Sequence, residues 1–181
     1  MGKTVWKFGL AGGAVSAALM LGTMPFAHRI GSDLALLLGY TTMVLSFLLV
    51  YFGIRSYREK NSGGRITFAK GLAVGLGITA ITCVFYVATW EVVYFGFMPH
   101  FMDSYWAAEV AKIKASGAGE EKIAKKLKAI DETKQMYDNP VYNAAMTFLE
   151  PLPVGLVMTL ISAGVLRRKE SNTEADAVKA S

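Results

Sequence analysis

Two glutamates, Glu91 and Glu150, stand alone in long apolar stretches of the sequence and are the residues best placed to do chemistry. An ionised carboxylate at the centre of a bilayer costs about 2–3 kcal/mol or more. Both acids fall at a helical depth of about 10–14 Å from the same end of their stretches. We therefore expect either a shared proton or cation site, or two acids that bond neighbouring Tyr, Thr or Trp side chains and hold helices together.

The residues around these acids suggest how such a site would be built. Trp90 and Tyr94 neighbour the first acid and either line a pocket or belong to an interfacial aromatic belt. Pro151 and Pro153 follow the second acid, and proline removes a backbone donor and kinks a helix. The freed carbonyls could coordinate a cation, as in the broken helices of transporters, or the kink only shapes the bundle.

Four apolar stretches must position these residues. Hydrophobic residues make up 53% of the chain and charged residues 18%, whereas a soluble domain carries about 25% charged residues. The stretches cover residues 8–26, 34–54, 71–98 and 141–166, each near the length of about 20 residues that spans a bilayer. We predict an all-α membrane protein with four transmembrane helices in a single domain, residues 1–169, and a disordered tail, residues 170–181.

The polar loop of residues 99–140 is predicted to form a helical hairpin, at about residues 103–138. Ile123, Leu127 and Ile130 recur at helical spacing and form one apolar stripe. The loop contains seven lysines and seven acids. Such a hairpin lies on the bilayer, caps the bundle or contacts a partner.

The distribution of charge predicts the orientation. Eleven basic and four acidic residues fall on the side that holds both termini, while the loop side is neutral. By the positive-inside rule, both termini are cytoplasmic and the loop of residues 99–140 is extracytoplasmic. The basic residues expected to contact lipid head groups are Arg55, Arg58, Arg65, Lys70, Arg167 and Arg168. We expect no nucleic-acid binding, because no soluble domain with interleaved basic and aromatic residues accompanies them.

Small residues at a spacing of four suggest close helix contacts. Gly9 and Gly13 form one such pair, and Gly71 and Gly75 form another. Faces of this kind let helix backbones approach each other in membranes. They are either the seam of a homodimer or packing faces inside one bundle.

The sequence carries no recognisable enzyme or cofactor motif. Its single cysteine, Cys83, excludes a cysteine-cluster metal site. His28, His100, Asp33 and Asp103 fall on the loop side, but without a dense metal-binding signature. P-loop, nucleophile-elbow and dinucleotide-binding patterns are also missing. We expect no enzyme activity, no cofactor and no metal site.

Three segments resemble a known family. They are Phe52–Arg58 (FGIRSYR), Gly64–Gly71 (GRITFAKG) and Asn139–Leu156 (NPVYNAAMTFLEPLPVGL). They are similar to a bacterial family of four-span inner-membrane proteins of unknown function, of the domain-of-unknown-function 4199 type, common in Bacteroidota. The resemblance covers nearly the whole chain except the tail. It implies a multi-pass protein of the bacterial inner membrane and supplies no catalytic residues.

These observations leave three functions open. The first is a non-enzymatic scaffold or accessory subunit of an envelope complex that binds its partner through the external hairpin. The second is a small oligomeric transporter or channel, dimeric for example, that uses Glu91 and Glu150. The third is a lipid-acting membrane enzyme with these acids and His100 as acid and base groups.

Overall fold

The computed structural model describes residues 1–27, 32–97 and 101–167. These residues form helices and contain no β-strand. The α-helices are α1 (Gly2–Ala27), α2 (Ser32–Asn61), α3 (Phe68–Glu91), α4 (Phe101–Lys114), α5 (Glu120–Tyr137), α6 (Pro140–Leu149) and α7 (Pro151–Leu166), and a π-helical segment, Val92–Phe97, follows α3. His28, His100, Arg168 and the predicted tail lie outside the described residues, as does the side chain of Asp33.

Four helical stretches are long and apolar enough to cross a membrane. They are Gly2–Met24, Leu34–Asn61, Phe68–Phe97 and Pro140–Leu166. Large apolar side chains remain exposed on them, for example Leu36 at 61% and Val165 at 68%. Helices that are apolar all round belong in a core or in lipid. The predicted all-α class with four membrane-spanning helices is confirmed.

Helix α2 continues beyond its apolar stretch, which ends near residue 54. The reason is local, because its last turns contain strong helix formers and an ion pair between Arg55 Nε and Glu59 Oε1 at 2.9 Å. Gly63 and Gly64 end this region with φ angles of +57° and +81°, a conformation that favours glycine. The polar end of α2 is therefore part of the helix and not a loop.

The chain divides into two compact units, Met1–Phe85 with Pro151–Ser181 and Tyr86–Glu150. In the first unit, small residues bring the helices together. A Cβ atom at Gly13 would meet the Phe85 ring at 2.5 Å, and one at Gly75 would meet Thr159 Cγ2 at 2.6 Å. The hydroxyl groups of Thr79 and Thr159 share a buried hydrogen bond of 2.9 Å. Both predicted glycine pairs thus contain close contacts inside this unit.

The second unit contains the end of α3, the π-helical segment, and helices α4, α5 and α6. Helices α4 and α5 pack against each other as a hairpin, and Gly117 between them has a φ of +66°. Asn139 then caps α6, because its Oδ1 accepts hydrogen bonds from the backbone N–H groups of Val141 at 2.9 Å and Tyr142 at 3.3 Å. The loop between the third and fourth apolar stretches is therefore a helical hairpin.

Candidate functional site

A set of cross-helix hydrogen bonds, the polar ladder, joins the end of α3 to α6 within the second unit. Its members are Tyr86, Trp90, Asn143 and Glu150. The Tyr86 hydroxyl group donates to Glu150 Oε2 at 3.2 Å, and Trp90 Nε1 donates to Asn143 Oδ1 at 2.8 Å. Tyr86 and Trp90 are four residues apart, and Asn143 and Glu150 are seven apart. Each of these spacings places both residues on the same face of a helix. The ladder therefore fixes how α3 and α6 are rotated towards each other.

Asn143 is the centre of the ladder and has no exposed surface. Besides the Trp90 bond, its Oδ1 accepts from the Thr147 hydroxyl group at 3.2 Å, and its Nδ2 donates to the Tyr137 carbonyl oxygen at 3.2 Å. A buried amide requires such partners. Sequence reasoning missed this residue, although a lone amide in the fourth apolar stretch was a signal that could have found it.

Glu150 lies where the fourth apolar stretch is interrupted. It is the residue after α6, its side chain is exposed, and α7 begins at Pro151. Proline suits the first position of a helix because its missing N–H would lack a partner there. Pro151 is buried, whereas Pro153 is exposed. The structure thus has two helices separated at Glu150, at the place where the prolines predict a kink.

Glu91 has a different environment. It is the last residue of α3, partly exposed, and its Oε1 atom is buried without a hydrogen-bond partner among the described residues. Tyr86, which bonds Glu150, lies five residues earlier and hence about 140° away around the helix. Within the described part of the chain, the two acids are therefore not joined in one hydrogen-bonded pair.

Aromatic side chains form two chains of ring contacts in the second unit. Around the predicted pocket residues, the centroid of Trp90 lies 5.6 Å from that of Tyr94, which in turn lies 4.8 Å from that of Phe95. The other chain joins Tyr105, Trp106, Tyr137 and Tyr142 at distances of 5.3, 6.0 and 5.7 Å. The Trp90–Tyr94 pair is tilted and the other pairs are edge-to-face. Aromatic pairs at such distances stabilise packing beyond area burial. Trp90 and Tyr94 thus serve ring packing and, for Trp90, the polar ladder.

Tyr137 gives this aromatic chain a pH dependence. Burial raises the pKa of Tyr137, and the negative charge of Glu150 raises it further. The neutral phenol is therefore the favoured folded form, and its contribution to stability is present below the ordinary tyrosine pKa of about 10 and is lost as pH rises through the higher folded value. We expect the free energy of unfolding to fall above this pH, and Tyr137→Phe to reduce the fall. Unfolding measured across alkaline pH checks this, and an unchanged slope in the variant contradicts it.

An open groove of about 590 Å³ lies beside α5 and the start of α6. Its lining combines one acid, two amides, a thioether and a phenol. These residues are Glu132, Gln135, Met136, Asn139 and Tyr142. The groove offers both hydrogen-bonding groups and apolar surface to a ligand.

The described residues among the predicted lipid contacts lie in or next to α2, α3 and α7 in the first unit, and Arg58 differs from the others. Its side chain is only 15% exposed. Its Nη1 donates to the Leu166 carbonyl oxygen at 3.4 Å, and its Nη2 lies 3.5 Å from Glu59 Oε1. A cation suits the C-terminal end of a helix. Arg58 therefore contacts the end of α7, whereas Arg55, Arg65, Lys70 and Arg167 are exposed.

Among the residues that the structure describes, no group of three or more His, Cys, Asp or Glu side chains could hold a metal ion. Asp103, one of the loop-side residues weighed as a ligand, lies with its Oδ1 3.9 Å from Lys134 Nζ.

The fold is that of a multi-pass helical membrane protein, with a polar helical hairpin between its third and fourth apolar stretches. Residues 7–168 match the family described as Protein of unknown function (DUF4199), and the chain belongs to this family. No curated protein and no solved structure matches the chain. The resemblance seen in the sequence is confirmed, and it assigns no activity.

Proposed function

We propose that this protein is a non-enzymatic accessory or scaffold subunit of an envelope complex, with the α4–α5 hairpin as its contact surface. The observation that carries the proposal is that α5 is an 18-residue helix in which no residue is buried. Ordering a helix costs conformational entropy, which a helix in a folded protein usually recovers by burying one face. A partner that covers part of α5 would supply this burial.

The groove beside α5 indicates what such a partner presents. Met136 is 44% exposed, although methionine favours apolar surroundings. Gln135 and Asn139 offer amide groups in the same groove, and Tyr142 offers a phenol. This combination fits a protein segment that inserts an apolar side chain and forms hydrogen bonds through its backbone.

The proposal includes a location and an orientation. The positive-inside rule, applied to the short basic segments, favours an inner-membrane protein with both termini in the cytoplasm. The hairpin then lies on the extracytoplasmic side, where it can meet other envelope proteins. Membrane lipids are the remaining partner, through exposed basic residues such as Arg65 and Lys70.

The other two functions receive less support. A transporter that uses both acids together needs them at one site, whereas Glu150 bonds Tyr86 and Glu91 Oε1 has no hydrogen-bond partner in the part of the chain that the structure describes. A lipid-acting enzyme relies on His100, which lies outside the described residues. Neither alternative explains a folded hairpin in which every residue of α5 stays at least partly exposed.

Native mass spectrometry of the full-length protein, extracted in a mild detergent from its own membrane, tests the proposal. We expect one envelope protein bound at fixed stoichiometry. Met136→Arg places a charge in the groove and should remove this partner. Ala124→Arg places the same charge on an exposed position of α5, about 120° away around the helix, and should leave the partner bound.

Two outcomes contradict the accessory role. One is a monomer or homodimer without a second protein in every detergent that is mild enough to keep the helices folded. The other is a partner that both arginine variants retain, because the groove would then not be the contact surface.

A further inference from the structure

The position of Glu91 in its helix sets it apart from the other acids. It is the last α-helical residue of α3, directly before the π-helical segment Val92–Phe97. π-helical turns occur frequently at functional sites. Glu91 also lies within Phe68–Phe97, one of the stretches apolar enough to cross a membrane. An acid in such a stretch marks a functional site by default.

The surface around Glu91 is apolar. Ala88, Val92 and Phe95, its neighbours on the helix, are all exposed, with 58% of Val92 and 40% of Phe95 accessible. In a membrane-spanning stretch, exposed apolar side chains face lipid. Glu91 therefore lies beside a surface that lipid or a lipophilic molecule can reach.

Among the described residues, the carboxylate of Glu91 has no hydrogen-bond donor or cation that would stabilise its charge. Its Oε1 is buried there without a hydrogen-bond partner, and none of these residues forms an ion pair with it. Tyr94 is the titratable group within electrostatic reach of Glu91, and Tyr94 is in turn within reach of Asp103 and Asp138. None of these groups supplies a positive charge, and a carboxylate in this situation becomes neutral instead of remaining ionised.

Glu150 is the natural comparison. It is exposed, and the Tyr86 hydroxyl group donates a hydrogen bond to its Oε2 atom. A donated hydrogen bond stabilises the charged form of a carboxylate. The two acids in the apolar stretches thus differ in their hydrogen bonding.

We propose that Glu91 is a proton-exchange site in the membrane, a carboxylic acid that is accessible from lipid and that takes up and releases one proton. The site goes beyond the accessory role, and it needs neither a partner protein nor Glu150. Its ligand is the proton itself.

Labelling with dicyclohexylcarbodiimide tests this directly on the unmodified protein. This lipophilic reagent reacts with protonated carboxyl groups in apolar surroundings. The carboxyl oxygen bonds to the central carbon of the reagent, the acid proton passes to one nitrogen, and an acyl shift yields a stable acylurea with no leaving group. The full-length protein, in phosphatidylcholine nanodiscs, is labelled over a pH series, digested and analysed by peptide mass spectrometry.

We expect the adduct on Glu91, in clear excess over Glu150. Above the pKa of the site, its labelling rate should fall about tenfold for each pH unit, as the protonated fraction does. Glu91→Gln should lose the adduct, and the matched control Glu150→Gln should keep it with the same pH profile.

The proposal is overturned if Glu91 is not labelled more than Glu150 at any pH, or if its labelling does not change with pH. Because the first measurement uses the wild-type chain, neither result can be attributed to a misfolded variant. Both results leave the accessory role unaffected, since that role is judged by the bound partner.

Discussion

Gly155→Ala is expected to destabilise the protein by about 1–3 kcal/mol, the range for adding a methyl group to a well-packed interior. A Cβ atom at Gly155 would lie 2.4 Å from Thr79 Cγ2 and 2.9 Å from Phe47 Cε1. Both neighbours are themselves buried, with 1% of each exposed. The helix that carries residue 155 must therefore move away from α2 and α3, and the hydrogen bond between Thr79 and Thr159 is strained as it does so.

Gly164→Ala is the matched control, because Gly164 lies on the same helix with nothing within 4 Å of the added atom. For this variant we expect no decrease in the free energy of unfolding. An increase of up to about 0.5–1 kcal/mol is expected, because alanine has less backbone entropy than glycine to lose on folding. Unfolding of both variants by sodium dodecyl sulfate in mixed micelles, followed by circular dichroism, gives the comparison. Equal stabilities of the two variants would show that α7 does not pack on Thr79 and Phe47.

The number of spans and the hairpin between the third and fourth could be predicted because they depend on local composition. A run of about 20 apolar residues forms one membrane-spanning helix whatever surrounds it. The stripe of Ile123, Leu127 and Ile130 similarly predicts an amphipathic helix, and α5 contains it. The end of α2 was harder to place, because the polar turn that contains Arg55 and Glu59 is stabilised by side-chain pairing and not by hydropathy.

The polar ladder could not be predicted, for a geometric reason. A helix that is apolar all round gives no signal for its rotation about its own axis, so the sequence cannot show which side chains face the next helix. Trp90 and Asn143 are 53 residues apart, and Tyr86 and Glu150 are 64 apart. The sequence predicts a similar depth for Glu91 and Glu150, but it could not predict that Glu150 bonds Tyr86 whereas Glu91 Oε1 has no hydrogen-bond partner among the described residues.

The same reasoning explains why the contact between Arg58 and the end of α7 could not be predicted from the sequence. Its place in a basic cluster is visible in the sequence, whereas its bond to the Leu166 carbonyl oxygen joins residues 108 positions apart. A basic residue near a membrane boundary either faces head groups or satisfies a helix end, and only the packing of α2 against α7 decides between the two.

Asn143→Leu should have the largest effect in the second unit, since it removes three hydrogen bonds at once. Side-chain hydrogen bonds between membrane helices contribute about 0.6 kcal/mol each on average, and about 1.7 at most. Removing the acceptor of the part-buried Trp90 N–H and the donor to the Tyr137 carbonyl oxygen adds to the loss. We therefore expect the free energy of opening α6 to fall by about 2 kcal/mol or more. Hydrogen–deuterium exchange of Pro140–Leu149 measures this opening locally, and Ala145→Leu, at an exposed position of α6, should leave it nearly unchanged.

A double-mutant cycle with Trp90→Phe separates the ladder from simple packing. Phenylalanine keeps an aromatic ring beside Tyr94 but has no N–H to donate to Asn143. The single variant should therefore lower the free energy of opening α6 by about 0.6–1.7 kcal/mol. If the two residues are coupled through their 2.8 Å hydrogen bond, the losses of the single variants should not add up. The double variant should then lose less opening free energy than the sum of the two single variants, and the difference should equal about the contribution of this bond. Strictly additive losses would mean that Trp90 and Asn143 act independently. In that case the rotation of α3 towards α6 would have to be set by Tyr86 and Glu150, and Tyr86→Phe would be the variant that frees the helix.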